Sequence, residues 1–200
     1  MPRRVDHDAR RSAIAEAAAD LIAREGLAGA TSARLARAAG CTVGALPHYF
    51  EGKDAILVAA LRASSASVEG RAAERAGREG ADLCTIFEAA LPLDAPGRRD
   101  ARVWFSFAGR ALHSGELAAE FRRRYRELER RAAGLVDPAR LPPGWDPISA
   151  IESVFAFIDG LALRALLDPR AWSGRRQSQS LRRHMEGLGL VDSPIVGRRK

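Results

Sequence analysis

The chain contains no asparagine among its 200 residues, and only two of its 32 basic side chains are lysine. That skew follows genomic base composition as readily as function, so the net charge of +7 does not by itself argue for a polyanionic partner. The distribution points the same way. Residues 1–53 carry eight Arg or Lys against six Asp or Glu, whereas 98–131 carry ten against five and 170–200 eight against two. Cysteine is scarce as well. Cys41 and Cys84 form no CxxC pair and no disulfide framework, which suits a reducing compartment. No apolar run approaches the ~18 residues a membrane span needs, and no apolar segment follows Arg3 and Arg4 as it would in a secretory signal. A cytoplasmic protein with no membrane partner is expected. HExxH, GxSxG, Walker and GxGxxG patterns are all missing, and His7, His48, His113 and His184 lack metal-ligand spacing. No catalytic residue, metal or cofactor is therefore assigned. An enzyme would have to bring His113, Glu152 and Asp159 into one pocket, and nothing in their spacing warrants that. Hydrophobic content of 46% with 28% charge reads as soluble and globular, enough for one ordinary domain or two small ones.

What is present centres on Thr31–Lys53, TSARLARAAGCTVGALPHYFEGK. Leu35, Ala36 and Ala39, then Leu46, give two short helical runs broken at Gly40, the layout of a helix-turn-helix. Ala36 and Gly40 lie one turn apart, a spacing that predicts close approach of the two helices. Thr31 supplies a capping oxygen for the first helix and Thr42 one for the second. Upstream, Ile14, Ala17, Ala18, Leu21 and Ile22 predict an amphipathic helix from about Asp8 to Glu25, ended by Gly26. It completes a three-helix bundle.

With Arg11 and Ile14 upstream, AAG at 38–40 and GALPHYFEGKDAIL at 44–57, this stretch resembles the DNA-binding domain of the TetR family of bacterial transcriptional regulators. The HYF and KD elements resemble the BetI-like branch, as does IDGLALRALLDP at 158–169. The resemblance implies an all-α protein: an N-terminal three-helix helix-turn-helix DNA-binding domain over 1–53, a connector helix over 54–79, and a C-terminal helical ligand-binding and dimerisation domain over 80–191. Residues 192–200 read as a basic disordered tail. It also implies a DNA-facing set of Thr31, Thr42, Val43, Gly44, Ala45, Pro47, His48, Tyr49 and Lys53. In the major groove Thr42 and His48 can hydrogen-bond, while Val43 and Ala45 offer apolar contact to thymine methyls. Tyr49 and Lys53 stand where the family clamps phosphates, although one ring of the His48–Tyr49 pair packing inward beside Phe50 is the alternative. Pro47 departs from the family pattern, which most often has tyrosine there. Proline removes a backbone donor and crowds the preceding turn, predicting a shorter, kinked or late-starting recognition helix.

Beyond Lys53, apolar Ile56, Leu57, Ala60 and Leu61 give way to a second half that is polar nearly all round, as a connector requires. Gly77 and Gly80 mark its end. Leu83, Ile86, Phe87 and Ala90 predict a helix over 81–91, followed by a turn-rich segment through Arg99. The stretch 100–113, DARVWFSFAGRALH, holds the densest aromatics, and core packing competes there with a ligand pocket. The pocket reading selects Trp104, Phe107, His113, Phe121, Tyr125 and Phe155. Over 116–135, Leu117, Phe121, Tyr125 and Leu128 oppose an arginine-rich face in which Glu120–Arg124 and Glu127–Arg131 fall at i,i+4, a self-paired surface. Residues 137–147 are a proline-rich loop whose Trp145 is either an anchor or a lid. Ile148–Leu167 is the most apolar helix, and Gly160 within it costs about 1 kcal/mol against alanine, which points to a close helix crossing. By resemblance this helix and the one after Ser178 form a four-helix dimer interface through Ile151, Phe155, Ile158, Gly160, Leu161, Leu181, Met185 and Leu188. The expected function is a ligand-responsive regulator: a homodimer on a palindromic double-stranded DNA operator, most simply a repressor, released by a small-molecule effector. The BetI-like resemblance suggests choline-related cations in an aromatic cage, with no pocket residue matched individually. The alternative is a helical protein-interaction module with a degenerate helix-turn-helix.

Overall fold

The computed structural model describes residues 7–78 and 81–191, and within them the chain is all helix and connecting loop. Arg3, Arg4, Gly80 and the tail 192–200 lie outside those residues. Eight α-helices run in order: α1 His7–Gly29, α2 Ser32–Ala38, α3 Lys53–Ala76, α4 Leu83–Phe87, α5 Ala95–Ala111, α6 Gly115–Ala133, α7 Pro147–Leu167 and α8 Gly174–Gly187. Side-chain oxygens placed to satisfy orphan N–H groups start most of them. Thr31 caps α2, Asp82 α4, Asp94 α5, Ser114 α6, Asp146 α7 and Ser173 α8. Pro147 occupies the first position of α7, where a missing N–H costs nothing.

Gly26 does interrupt α1, at φ 69° and ψ 179°, but three further helical residues follow before the chain turns into α2. Gly40 has a different reason from the one its spacing suggested. A Cβ there would meet nothing within 4 Å, and its φ of +61° is what requires glycine. Residues 95–99, expected as turn, belong to α5, because Asp94 accepts from the Gly97 N–H at 2.7 Å and nucleates the helix early. Residues 81–91 make only a short α4 and a 3-10 turn over Glu88–Ala90.

Two cores form. The first joins α1, α2 and the start of α3 to Val103 and Phe107 of α5 and Phe121 of α6; the second is built from α4, α7 and α8 around Ile151, Val154, Leu181 and Met185. The first core therefore crosses the expected boundary at residue 80. The polar half of α3 is not simply solvated either. Arg71 pairs with Asp100 at 2.7 Å and Arg75 with Glu88 at 3.0 Å, tying α3 to α5 and to the 3-10 turn after α4. On α6, Glu120 pairs with Arg123, whereas Arg124 reaches across to Glu69 of α3; Glu127 and Arg131 pair at i,i+4.

Candidate DNA-reading unit and effector cavity

Val43–His48 is a 3-10 helix with Pro47 inside, followed by Tyr49 and the buried Phe50. Leu46 anchors the turn in the first core, and the N–H groups of Tyr49 and Phe50 both return to its carbonyl, at 2.9 and 3.0 Å. With no N–H to give, Pro47 suits this tight, short form better than an extended α-helix. Thr42 precedes it in extended conformation, but its hydroxyl makes no capping bond and stays available. Thr31, Thr42, Val43, Gly44, Pro47 and His48 are exposed; Ala45, Tyr49 and Lys53 are half-buried. Tyr49 divides its ring between the two readings, packed against the first core and 5.1 Å from the ring of His7.

The unit is braced from α1. Arg10 donates to the carbonyls of Ala39 and Gly40 at 3.1 and 3.3 Å, closing the C-terminal end of α2. Arg11 donates to the Tyr49 carbonyl at 2.6 Å while its guanidinium lies 4.6 Å over the Phe50 ring. The sequence named Arg11 only as a point of resemblance. Its role as a brace depends on the three-dimensional approach of α1, which periodicity does not give.

A cavity of about 300 Å³ opens between α3, α4, α5, α6 and α7. Its wall is almost wholly apolar: Val68, Ile86, Phe87, Trp104, Phe105, Leu128, Phe155 and Ile158. Rings cross it in sequence. Trp104 lies 4.5 Å from Phe121 and 5.3 Å from Tyr125, Tyr125 6.3 Å from Phe155, and Phe155 5.6 Å from Phe87. The acidic groups lining it are Asp100, Asp159 and Glu69, the last paired with Arg124 and Arg131. An apolar wall with a small set of placed polar groups is the composition of a small-molecule site. The Tyr125 hydroxyl donates to the Asp159 carboxylate, and the Trp104 indole lines the cavity beside them. Burial pushes Asp159 upward against the lowering effect of those two neighbours, and burial with the adjacent carboxylate pushes the Tyr125 phenol up. Among the described residues no cation lies within ion-pair distance of Asp159.

Of the six aromatic and histidine positions expected in a pocket, Trp104, Tyr125 and Phe155 line this cavity. Phe107 does not: it is 1% exposed inside the first core. His113 is exposed beyond the end of α5. Phe121 faces a second, polar cavity of about 350 Å³ behind Trp104, lined also by Arg62, Arg123, Arg124 and Glu127. Trp145 is exposed and lines neither cavity. Asp159 was legible as the one acidic residue in the middle of the most apolar helix, flanked by Phe155, Ile158 and Leu161.

The set expected at a dimer interface is mostly consumed within the subunit. Ile151, Leu181 and Met185 are 0% exposed, Ile158, Leu161 and Leu188 at most 6%, and Phe155 lines the cavity. Helix α7 packs on α5, α6 and α8 at once, which accounts for its excess of apolar positions. Gly160 makes no close crossing here. It is exposed, with open space where a Cβ would stand.

Residues 14–60 match the family of bacterial regulatory proteins of TetR type, and residues 80–190 match the BetI-type transcriptional repressor C-terminal domain. The chain belongs to the TetR family of transcriptional regulators. It is 30% identical over 197 residues to the HTH-type transcriptional regulator PksA of Bacillus subtilis, covering 96% of each chain. To the regulator BetI 2 of Chromohalobacter salexigens it is 32% identical, covering 84% of this chain and 83% of the relative. Among solved structures, a transcriptional regulator from Rhodococcus sp. Rha1 superposes with a TM-score of 0.76 at 26% identity, covering 90% and 98% of the two chains. This is a ligand-responsive DNA-binding TetR-family regulator with a helix-turn-helix, and no described helix is long and apolar enough to cross a membrane.

Proposed function

We propose that the protein is a cytoplasmic homodimeric repressor that reads a palindromic operator through residues 42–49 and Lys53, and is released when a small apolar cation fills the cavity below α5. The observation that carries this reading is the Asp159 carboxylate, set among the rings of Trp104, Tyr125 and Phe155 with no cation among the described residues at ion-pair distance. The two arginines of the cavity, Arg124 and Arg131, are paired with Glu69. A monocation supplies the missing charge, and the ring faces attract it further. An uncharged apolar molecule would instead favour the protonated carboxyl, whose ionisation burial already opposes.

Subunits pair, in this reading, through the outer face of α7 and α8, where Gly160, Leu163 and Leu167 are exposed and Phe157 stacks on His184 at 4.3 Å. A two-fold axis then sets the reading turns on half-sites about 34 Å apart. Effector binding lowers operator affinity by the differential it makes between the two states, typically about 1–3 kcal/mol.

The test is a titration of labelled DNA from the gene's own upstream region with wild type, Tyr49→Phe and Lys53→Ala, at several salt concentrations. The phenylalanine keeps the half-buried ring and removes only the hydroxyl. Selective binding weakened in both variants, with a shallower salt slope for Lys53→Ala, supports the assignment. Weak binding indifferent to sequence and to both substitutions refutes it.

A further inference from the structure

One carboxylate in the cavity wall is wired to the DNA-reading unit. Asp100 lines the cavity, is 2% exposed, and takes three donors: Ser64 Oγ at 3.1 Å and Arg99 at 2.9 Å on one oxygen, Arg71 at 2.7 Å on the other. Arg99 does not stop there. Its Nε donates to Asp20 at 2.6 Å, and Nη2 donates to the Glu16 carboxylate at 2.5 Å and the Glu16 carbonyl at 3.2 Å. Asp20 and Glu16 sit on α1, the helix whose Arg10 and Arg11 grip the carbonyls of Ala39, Gly40 and Tyr49.

The geometry points to α1 as the lever of the switch and to Arg99 as the latch that joins it to the effector cavity. This inference rests on the reading that the cavity takes the effector. Arg11 and Asp20 are nine residues apart, about 14 Å along one uninterrupted stretch of helix. Such a stretch transmits displacement of one end to the other. A molecule pressed against the Asp100 wall moves α5 relative to α3 or draws Asp100 from its donors. Arg99 then shifts, α1 follows through Glu16 and Asp20, and the reading turn follows through Tyr49. Arg99 is a positioning residue in this scheme, since it touches neither DNA nor ligand. Coupling of this kind needs a contiguous network with a rigid element inside it, and both are present.

The experiment compares wild type with Arg99→Gln. Because that residue is partly buried and its loss could disturb folding, the more exposed pair Glu16→Gln/Asp20→Asn is tested beside it, leaving Asp100 and the cavity as they are. Operator affinity is measured with and without saturating benzyltrimethylammonium, whose own binding is followed by tryptophan fluorescence in the absence of DNA. Amide hydrogen exchange is recorded over residues 43–50 without additive. Wild type is expected to lose at least tenfold in operator affinity with the probe and both variants less than twofold, at unchanged probe affinity. Variants that respond like wild type overturn the relay. A probe that fails to bind refutes the cation reading instead, and exchange then decides: at least fivefold faster exchange over 43–50 in both variants supports the relay, and wild-type rates overturn it.

Discussion

The Tyr125 hydroxyl of α6 donates to the Asp159 carboxylate of α7 across the apolar cavity, beside the Trp104 indole. Burial holds Asp159 above its ordinary 3.8, so the carboxyl stays protonated to higher pH than a surface aspartate. Only its ionised form is a counter-ion. Affinity for benzyltrimethylammonium is therefore expected to rise with pH as Asp159 ionises, and Asp159→Asn should weaken binding by at least tenfold and flatten that dependence. Stability of the empty protein runs the other way. A raised folded pKa stabilises the fold below the unfolded value, and that contribution is lost as pH rises through the folded one. Fluorescence titration across pH, in parallel with urea unfolding, checks both signs. A wild-type pH profile retained in Asp159→Asn would remove Asp159 from the site.

Asp100 is expected to matter for stability out of proportion to a surface charge. Asp100→Ala takes the carboxylate from Arg71 and Ser64 while Arg99 keeps Glu16 and Asp20, and leaving those donors unmatched costs about 1–3 kcal/mol. The pair Arg78–Glu74 is 61% and 68% exposed, and Arg78→Ala should leave urea unfolding unchanged within error. Equal losses in the two variants would mean that the Asp100 network is as solvent-screened as the surface pair.

Which parts of this design were readable in the sequence follows from what periodicity encodes. Helix starts were legible where a Ser, Thr or Asp precedes an apolar rhythm, as at Thr31, and the reading stretch was legible because AAG and HYFEGK form a dense local motif. The limit was partnership. Phe107 and Phe155 look alike in sequence, yet one is core and the other lines the cavity, because the choice depends on which helix stands opposite. Ile151, Leu181 and Met185 were apolar at the right spacing for an interface and are spent on neighbours within the chain. Arg99 gave no local signal at all. Its partners Glu16 and Asp20 lie 83 and 79 residues away.

Pro47 gives a prediction that separates rigidity from contact. It sits exposed inside the 3-10 turn, and fixing φ there reduces the freedom of the unfolded chain. Pro47→Ala should lower stability by about 0.4–1 kcal/mol. It also restores an N–H to the turn, allowing α-helical geometry across Gly44–His48. The ranking of operator half-site variants should therefore change, while the salt slope, set by phosphate contacts, stays as in wild type. An unchanged ranking would show that Pro47 does not shape the reading face.

The outer face of α7 carries the last prediction. Leu163 is 42% exposed and Leu167 77%, one turn apart on a helix whose other faces are packed, and Gly160 lies one turn earlier with open space over its Cα. In an isolated subunit Gly160→Ala can only help, by about 1 kcal/mol of helix propensity. Across a tight subunit contact it does the reverse, since an added methyl separates two backbones that meet at the glycine. The two cases are distinguished by measuring association and unfolding on the same variant. Sedimentation of Leu163→Glu/Leu167→Glu is expected to show a monomer with unfolding close to wild type, and Gly160→Ala a weakened dimer whose monomer is the more stable. If both variants sediment as wild type, the subunits meet elsewhere and the glycine is simply tolerated on a solvent face.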